Sequence, residues 1–239
     1  MIGGILILAQ NVEFIKLGKS LTIKQKEDEF FSNFPIPTEG FVRDGIVEEG
    51  SYSSSSLKLL FLLKEPNSPG EGGWSLLDHI HSDKHTPTFD TIARWVVGIR
   101  NLPNSIQWKF VKDISPYSRI SALNYVVLFN LKKIPGYGIA DERALEKYVE
   151  RNAGLIKRQF SIYNPDIIIC CGKSTARLFT NFISPITKPW QITKGDIPYR
   201  EYESNKILFA SSHPQARVNK ERQYYGIVNA INEIFFKDK

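Results

Sequence analysis

The sequence predicts an α/β protein, a three-layer α/β/α sandwich around a central four-stranded parallel sheet. Three observations lead there. Four short apolar runs recur along the chain, at residues 57–63, 125–131, 166–172 and 206–210. Nearly continuous apolar strands are those of a parallel sheet covered on both faces. Segments with helical spacing of apolar residues separate these runs, which is the alternation of a doubly wound domain. Each run also stops at a turn signal beside a residue able to do chemistry or to approach a ligand: Glu65, Asn130, Gly172 and His213.

Taken in order, residues 1–56 form a lead-in without a clear pattern, set apart from an α/β domain at 57–239. Its start, Met1 to Gln10, is apolar but too short to span a bilayer and lacks the basic flank of a signal; it reads as a short edge strand or a poorly ordered start. Residues 27–34 suit a short helix. The first strand, Leu57-Lys-Leu-Leu-Phe-Leu-Leu63, ends at Lys64-Glu-Pro-Asn67 and a glycine-rich loop to Gly73. Helices are expected at 74–81 and 88–99, the latter with Phe89, Ile92, Val96 and Ile99 at core spacing. A second strand ends at Asn130, and a long helix spans 141–163, capped near Ala140 or Asp141. The third strand carries Cys170 and Cys171, which point to opposite faces and cannot form a usual structural disulfide with each other. A short helix at 173–182 follows, then the fourth strand and a closing helix at 219–236.

Composition narrows the function classes. The chain has 239 residues, with 42% hydrophobic and 23% charged, which suits one globular domain with an arm. No apolar run reaches membrane length. A net charge of +6 favours a polyanionic partner without naming it. Two cysteines are too few for zinc or an iron–sulfur cluster and suggest a reducing, cytoplasmic setting. No cofactor is expected, and a monomer is.

A parallel sheet collects its strand ends on one rim. That rim would hold a carboxylate (Glu65), an amide (Asn130) and an imidazole (His213). A carboxylate can orient water and stabilise positive charge on a sugar during glycosidic hydrolysis. An imidazole can donate to the negative charge on the leaving group. An amide offers both donor and acceptor to a base edge. These demands match removal of a nucleobase from deoxyribose.

Leu63-Lys-Glu-Pro-Asn67, Val127-Leu-Phe-Asn-Leu131, Ile168-Ile-Cys-Cys-Gly172 and His213-Pro-Gln-Ala-Arg217 together resemble the ordered landmarks of the uracil-DNA glycosylase superfamily, over roughly residues 57–236. The resemblance implies a DNA glycosylase that flips a nucleotide and hydrolyses its base–sugar bond without metal or redox cofactor. Glu65 would then handle the water, His213 would face the base oxygen, and Asn130 would read the base edge. Trp74 or Phe89 would stack on the flipped base, with Trp74 preferred because it follows the loop directly. Ser212, Arg217, Lys132 and Lys173 are candidate DNA contacts, as are Lys133 and Lys220 to Arg222.

Three departures shift the expected substrate. Leu63 stands where the first motif opens with glycine. Asn67 replaces the tyrosine that crowds the pyrimidine C5 position in uracil-specific members, leaving room for a 5-substituent. Arg217 replaces a leucine wedge. The expected substrate is therefore a 5-modified cytosine, such as the glucosylated hydroxymethylcytosine that some members remove in phage defence. The alternatives are excision of uracil or another deaminated base, and an inert DNA-binding module on the same fold.

Other signals carry less. Gly172-Lys-Ser-Thr175 ends like a P-loop, but Ile167 stands where the first glycine is needed. His79, His81 and His85 lie near Asp78 and Asp83, but helical geometry turns the first two apart, so no metal is expected. Ser211-Ser-His213 lacks the glycine elbow of a serine nucleophile.

Overall fold

The computed structural model describes residues 21–68, 72–82, 86–136, 138 and 141–236. The expected edge strand at 1–10, part of the glycine-rich loop, His85 with Asp83, and the Ala140 cap lie outside these residues. In chain order the elements are α1 (Ile23–Ser32), β1 (Gly45–Ile46), α2 (Glu49–Ser54), β2 (Leu59–Leu63), α3 (Leu76–Ile80) and α4 (Pro87–Arg100). Next come α5 (Pro116–Leu123), β3 (Val126–Asn130), α6 (Glu142–Arg151), α7 (Ala153–Phe160), β4 (Ile167–Cys171) and α8 (Lys173–Leu178). The chain closes with β5 (Gln191–Ile192), β6 (Pro198–Glu203), β7 (Lys206–Ser211) and α9 (Lys220–Phe235).

The sheet is seven-stranded and mixed, in the order β1-β3-β2-β4-β7-β6-β5. The expected four-stranded sheet is therefore too small. Its four apolar runs are the centre, β3-β2-β4-β7, and each neighbouring pair there runs parallel. Antiparallel strands extend both edges, β1 beside β3 and the β5–β6 pair beside β7. β6, Pro-Tyr-Arg-Glu-Tyr-Glu, is partly exposed along its length and lacks the apolar continuity of a central strand.

The central strands are buried on both faces, as their composition requires. Leu59, Phe61, Leu63 and Cys171 belong to a core shared with α4, α5 and α9. Leu60, Leu62 and Cys170 turn the other way, into a core with α6, α7 and α8. The expected helix over 141–163 is two helices broken at Asn152, whose side chain donates to the Tyr148 carbonyl at 2.8 Å and competes with continued helix.

The described part of the lead-in builds into the same sheet. Thr22 caps α1 in a reciprocal capping box with Gln25. α1 packs Phe30 and Phe31 against Phe41. From there the chain enters β1 and pairs with β3.

The connection leaving β2 crosses to β3 on one side, and the connection leaving β4 crosses to β7 on the other. A doubly wound sheet opens a crevice at such a switch point, beyond the strand carboxyl ends. The candidate residues gather there.

Candidate active site

β2 and β3 end in register, with Leu63 opposite Asn130, and β4 and β7 end with Cys171 opposite Ser211. This alignment brings separated stretches to one level. A cavity of about 590 Å³ opens above it, and Glu65, Asn67, Trp74, Phe89, Asn130 and His213 all line it. The six residues that the sequence assigns to catalysis and base recognition thus share one space.

Glu65 sits just past β2 and is largely buried, with its side chain 11% exposed. Its Oε2 accepts from Lys132 Nζ at 2.5 Å. The sequence places Lys132 among phosphate contacts; the structure ion-pairs it with the candidate catalytic carboxylate. The other side of that carboxylate lies against Gly136. A β-carbon there would stand 2.1 Å from Glu65 Oε1. Gly136 also donates its N–H to the Pro66 carbonyl at 2.9 Å. Lysine on one side and a bare backbone on the other therefore set the direction of Glu65.

The Gly136→Ala variant tests that packing. The carboxylate is the movable partner, so the added methyl should displace it rather than unfold the turn. The melting temperature is expected to stay within about 2 °C of that of the unmodified protein, with the Glu65 carboxylate turned from its present direction. A much larger drop would show that the turn, and not the carboxylate, gives way.

Asn130 ends β3 and is 2% exposed. Its backbone N–H donates to Asp44 Oδ2 at 2.6 Å, and its carbonyl accepts from Lys133 Nζ at 2.6 Å. Its side-chain Nδ2 is buried and has no hydrogen-bond partner among the described residues. Thr86, also on the cavity wall, leaves its buried Oγ1 unpaired in the same sense. A buried polar atom without a partner costs about 1–3 kcal/mol, and both atoms lie beneath the cavity surface rather than on it.

His213 follows β7. Its Nδ1 accepts the Gln215 backbone N–H at 3.1 Å. A ring nitrogen that accepts carries no proton, so the neutral ring bears its proton on Nε2. Burial, then the Lys64 and Lys220 charges, push the imidazole below its ordinary value of 6.5. The loop carrying it is tied to α9. Lys220 Nζ donates to the Pro214 and Ala216 carbonyls at 2.7 and 2.8 Å, and Gln223 Nε2 donates to Ser212 Oγ and the His213 carbonyl. Lys220, a candidate phosphate contact in the sequence, is thus committed to holding this loop.

The two aromatic candidates differ in setting. Phe89 is 8% exposed and belongs to the core under α4. Trp74 is partly buried and tilted against the His79 ring, 5.7 Å between centroids. Trp74, Asn67 and His79 also line an adjoining groove of about 960 Å³, together with Asp28, Arg43 and Asp78.

The candidate DNA contacts lie outside this cavity. Ser212 opens onto a separate groove of about 790 Å³ along α9. Arg217 and Lys173 are exposed, and neither forms an ion pair with a described residue. Lys133 is a correction. It is 3% exposed and pairs with Asp44 at 2.8 Å in the interior, where no phosphate can reach it.

Several residues at the site had no sequence signal. Asp44 looks like an ordinary surface charge in a linear reading, Lys133 like a phosphate contact, and Thr86 like a helix cap. Gly136 had one, in the Ile-Pro-Gly turn after β3. Among the described residues no group of three His, Cys, Asp or Glu side chains could hold a metal, and no helix is long and apolar enough to cross a membrane. No family model matches the chain, and no curated protein does.

Proposed function

We propose that the protein is a monofunctional DNA glycosylase that hydrolyses the N-glycosidic bond of a flipped pyrimidine and leaves an abasic site. The observation that carries this reading is the convergence of Glu65, Asn130 and His213, from three separate strand ends, on one cavity. The Asn130 amide would read the base edge. Glu65 would hold a water against C1′ and stabilise the positive sugar as the C1′–N bond breaks. The bonding electrons go to the base, and Nε2–H of His213 would donate to the oxygen where that charge collects. Lys64 and Lys220 add positive charge on the same side. Trp74 or Phe89 would stack on the extruded ring. Arg217, Ser212 and Lys173 would take backbone phosphates.

The base we favour is a 5-modified cytosine, for example the glucosylated hydroxymethylcytosine of phage DNA, over uracil. Asn67 leaves space beside the ring, and the adjoining groove shares Asn67, Trp74 and His79 with the cavity. Its Asp28, Arg43 and Asp78 are suited to hydroxyl groups. The second reading, an inert DNA-binding module, draws on the Lys132–Glu65 ion pair, which neutralises the carboxylate. One experiment separates them. The protein is incubated with DNAs bearing uracil, 5-hydroxymethylcytosine or glucosylated 5-hydroxymethylcytosine, and abasic sites are revealed with alkali. Breaks at the glucosylated base support the full proposal, and breaks at uracil alone keep the reaction but replace the substrate. Tight binding with no breaks favours the module.

The histidine predicts a pH profile. Its neutral form is the donor, and its pKa lies below 6.5. kcat/KM is expected to be level above that value and to fall on acidification through the lowered pKa, where protonation of Nδ1 breaks its bond from Gln215. His213→Gln should lower the rate and remove this acid limb. A limb unchanged in the variant would assign it to another group.

A further inference from the structure

The interior beneath Asn130 holds a charged pair that needs a reason. Asp44 and Lys133 have side chains 0% and 3% exposed. Burying two charges costs several kcal/mol per ion, and apolar residues of similar volume are often as stable or more so. Stability alone therefore does not account for them.

Their contacts do. β1 pairs with β3 only at Gly45 opposite Leu128 and Ile46 opposite Val127, so the ladder stops before Asn130. The Asp44 carboxylate takes over at that point. One oxygen accepts the Asn130 N–H at 2.6 Å and Lys133 Nζ at 2.8 Å, and the other accepts Gln159 Nε2 at 2.9 Å. Lys133 then closes the ring by donating to the Asn130 carbonyl at 2.6 Å, with its ammonium 3.9 Å from the centroid of the Phe129 ring. Gln159 is held in turn by the Tyr163 hydroxyl at 3.0 Å. Both polar backbone groups of one residue are thus gripped by one ion pair, on the side where the sheet offers no strand. From the other side, β2 pairs with Asn130 through Leu63.

Resting on the reading of Asn130 as the base-reading amide, we infer that Asp44 and Lys133 are positioning residues that set which pyrimidine this amide accepts. Neither lines the cavity, and neither touches the base. They fix the backbone from which the amide projects, so that its donor and acceptor meet a base edge at one height only. A purely structural pair would leave base discrimination where it was.

The test uses the full chain with D44L/K133M, which removes both charges together and leaves neither unpaired, and D44N/K133M, which restores an acceptor for the Asn130 N–H. Two readouts are taken: hydrogen exchange of the Asn130 backbone amide, and the ratio of excision rates on DNAs carrying glucosylated 5-hydroxymethylcytosine and uracil. In D44L/K133M the amide should exchange faster, and the ratio should move toward one by about tenfold, as expected for a displaced reading contact. D44N/K133M should recover part of both, and it carries the test alone if D44L/K133M does not fold, its values then falling between those of the unmodified protein and full loss. Faster exchange with a changed ratio supports the inference. Excision with an unchanged ratio in a folded double variant overturns it while leaving the glycosylase reading in place. No excision of any base by the unmodified protein overturns that reading, and this inference with it.

Discussion

Under the proposed glycosylase function, Glu65→Gln is expected to lower base excision by about 10²–10⁴-fold, the range that a positioned acid–base group contributes. Glutamine keeps the shape of the side chain and loses its negative charge. It can still touch a water, but it neither accepts a proton from it nor balances positive charge on the sugar. Lys132 makes the loss larger, because the ammonium that now faces the carboxylate at 2.5 Å would face a neutral amide beside a cationic transition state. Affinity for DNA should stay within about threefold, since in that role the carboxylate would serve the transition state and not ground-state binding. Single-turnover rates and equilibrium binding on the same oligonucleotide measure the two separately. A rate within a factor of about three of the unmodified protein would remove Glu65 from the chemistry.

The second large effect is on stability. Lys133→Met alone strands the Asp44 carboxylate in the interior, with Gln159 and one backbone amide as its remaining partners. Breaking a buried pair from one side costs about 3–5 kcal/mol. For a chain of this length that corresponds to a melting temperature roughly 10 °C lower. Adding Asp44→Leu should recover much of the loss, since the stranded charge goes with it. Thermal denaturation of the single and double variants decides the matter. A single variant melting within about 2 °C of the unmodified protein would mean that water or a proton already compensates Asp44.

What the sequence makes legible follows from how each feature is encoded. The four central strands are continuous apolar runs, and such runs have few other places to go. Their ends, and with them Glu65, Asn130 and His213, could therefore be put on one rim. The antiparallel strands that flank the central four carry no such mark. β1 is two residues long, and β6 begins with proline and mixes charges with tyrosines, so both read as loop. α5 is announced by Ser115 as N-cap and Pro116 at the first helical position, a signal present but unused. The break at Asn152 depends on one side chain competing for one carbonyl, which periodicity averages away. The support beneath the site is the least legible part. Asp44 and Lys133 are 89 positions apart. Only the folded sheet joins them, so nothing in the linear pattern separates them from surface charges.

The adjacent cysteines in β4 have a practical consequence. Both thiols are fully buried in the middle strand of the sheet, on opposite faces, and burial holds both well above the ordinary thiol range. An alkylating reagent needs a thiolate that it can reach. In the native state neither is offered, and only an opening that parts β4 from its layers exposes them. The rate of cysteine labelling under native conditions therefore counts global openings. It ranks variants of this chain by the free energy of that opening, with no substrate required.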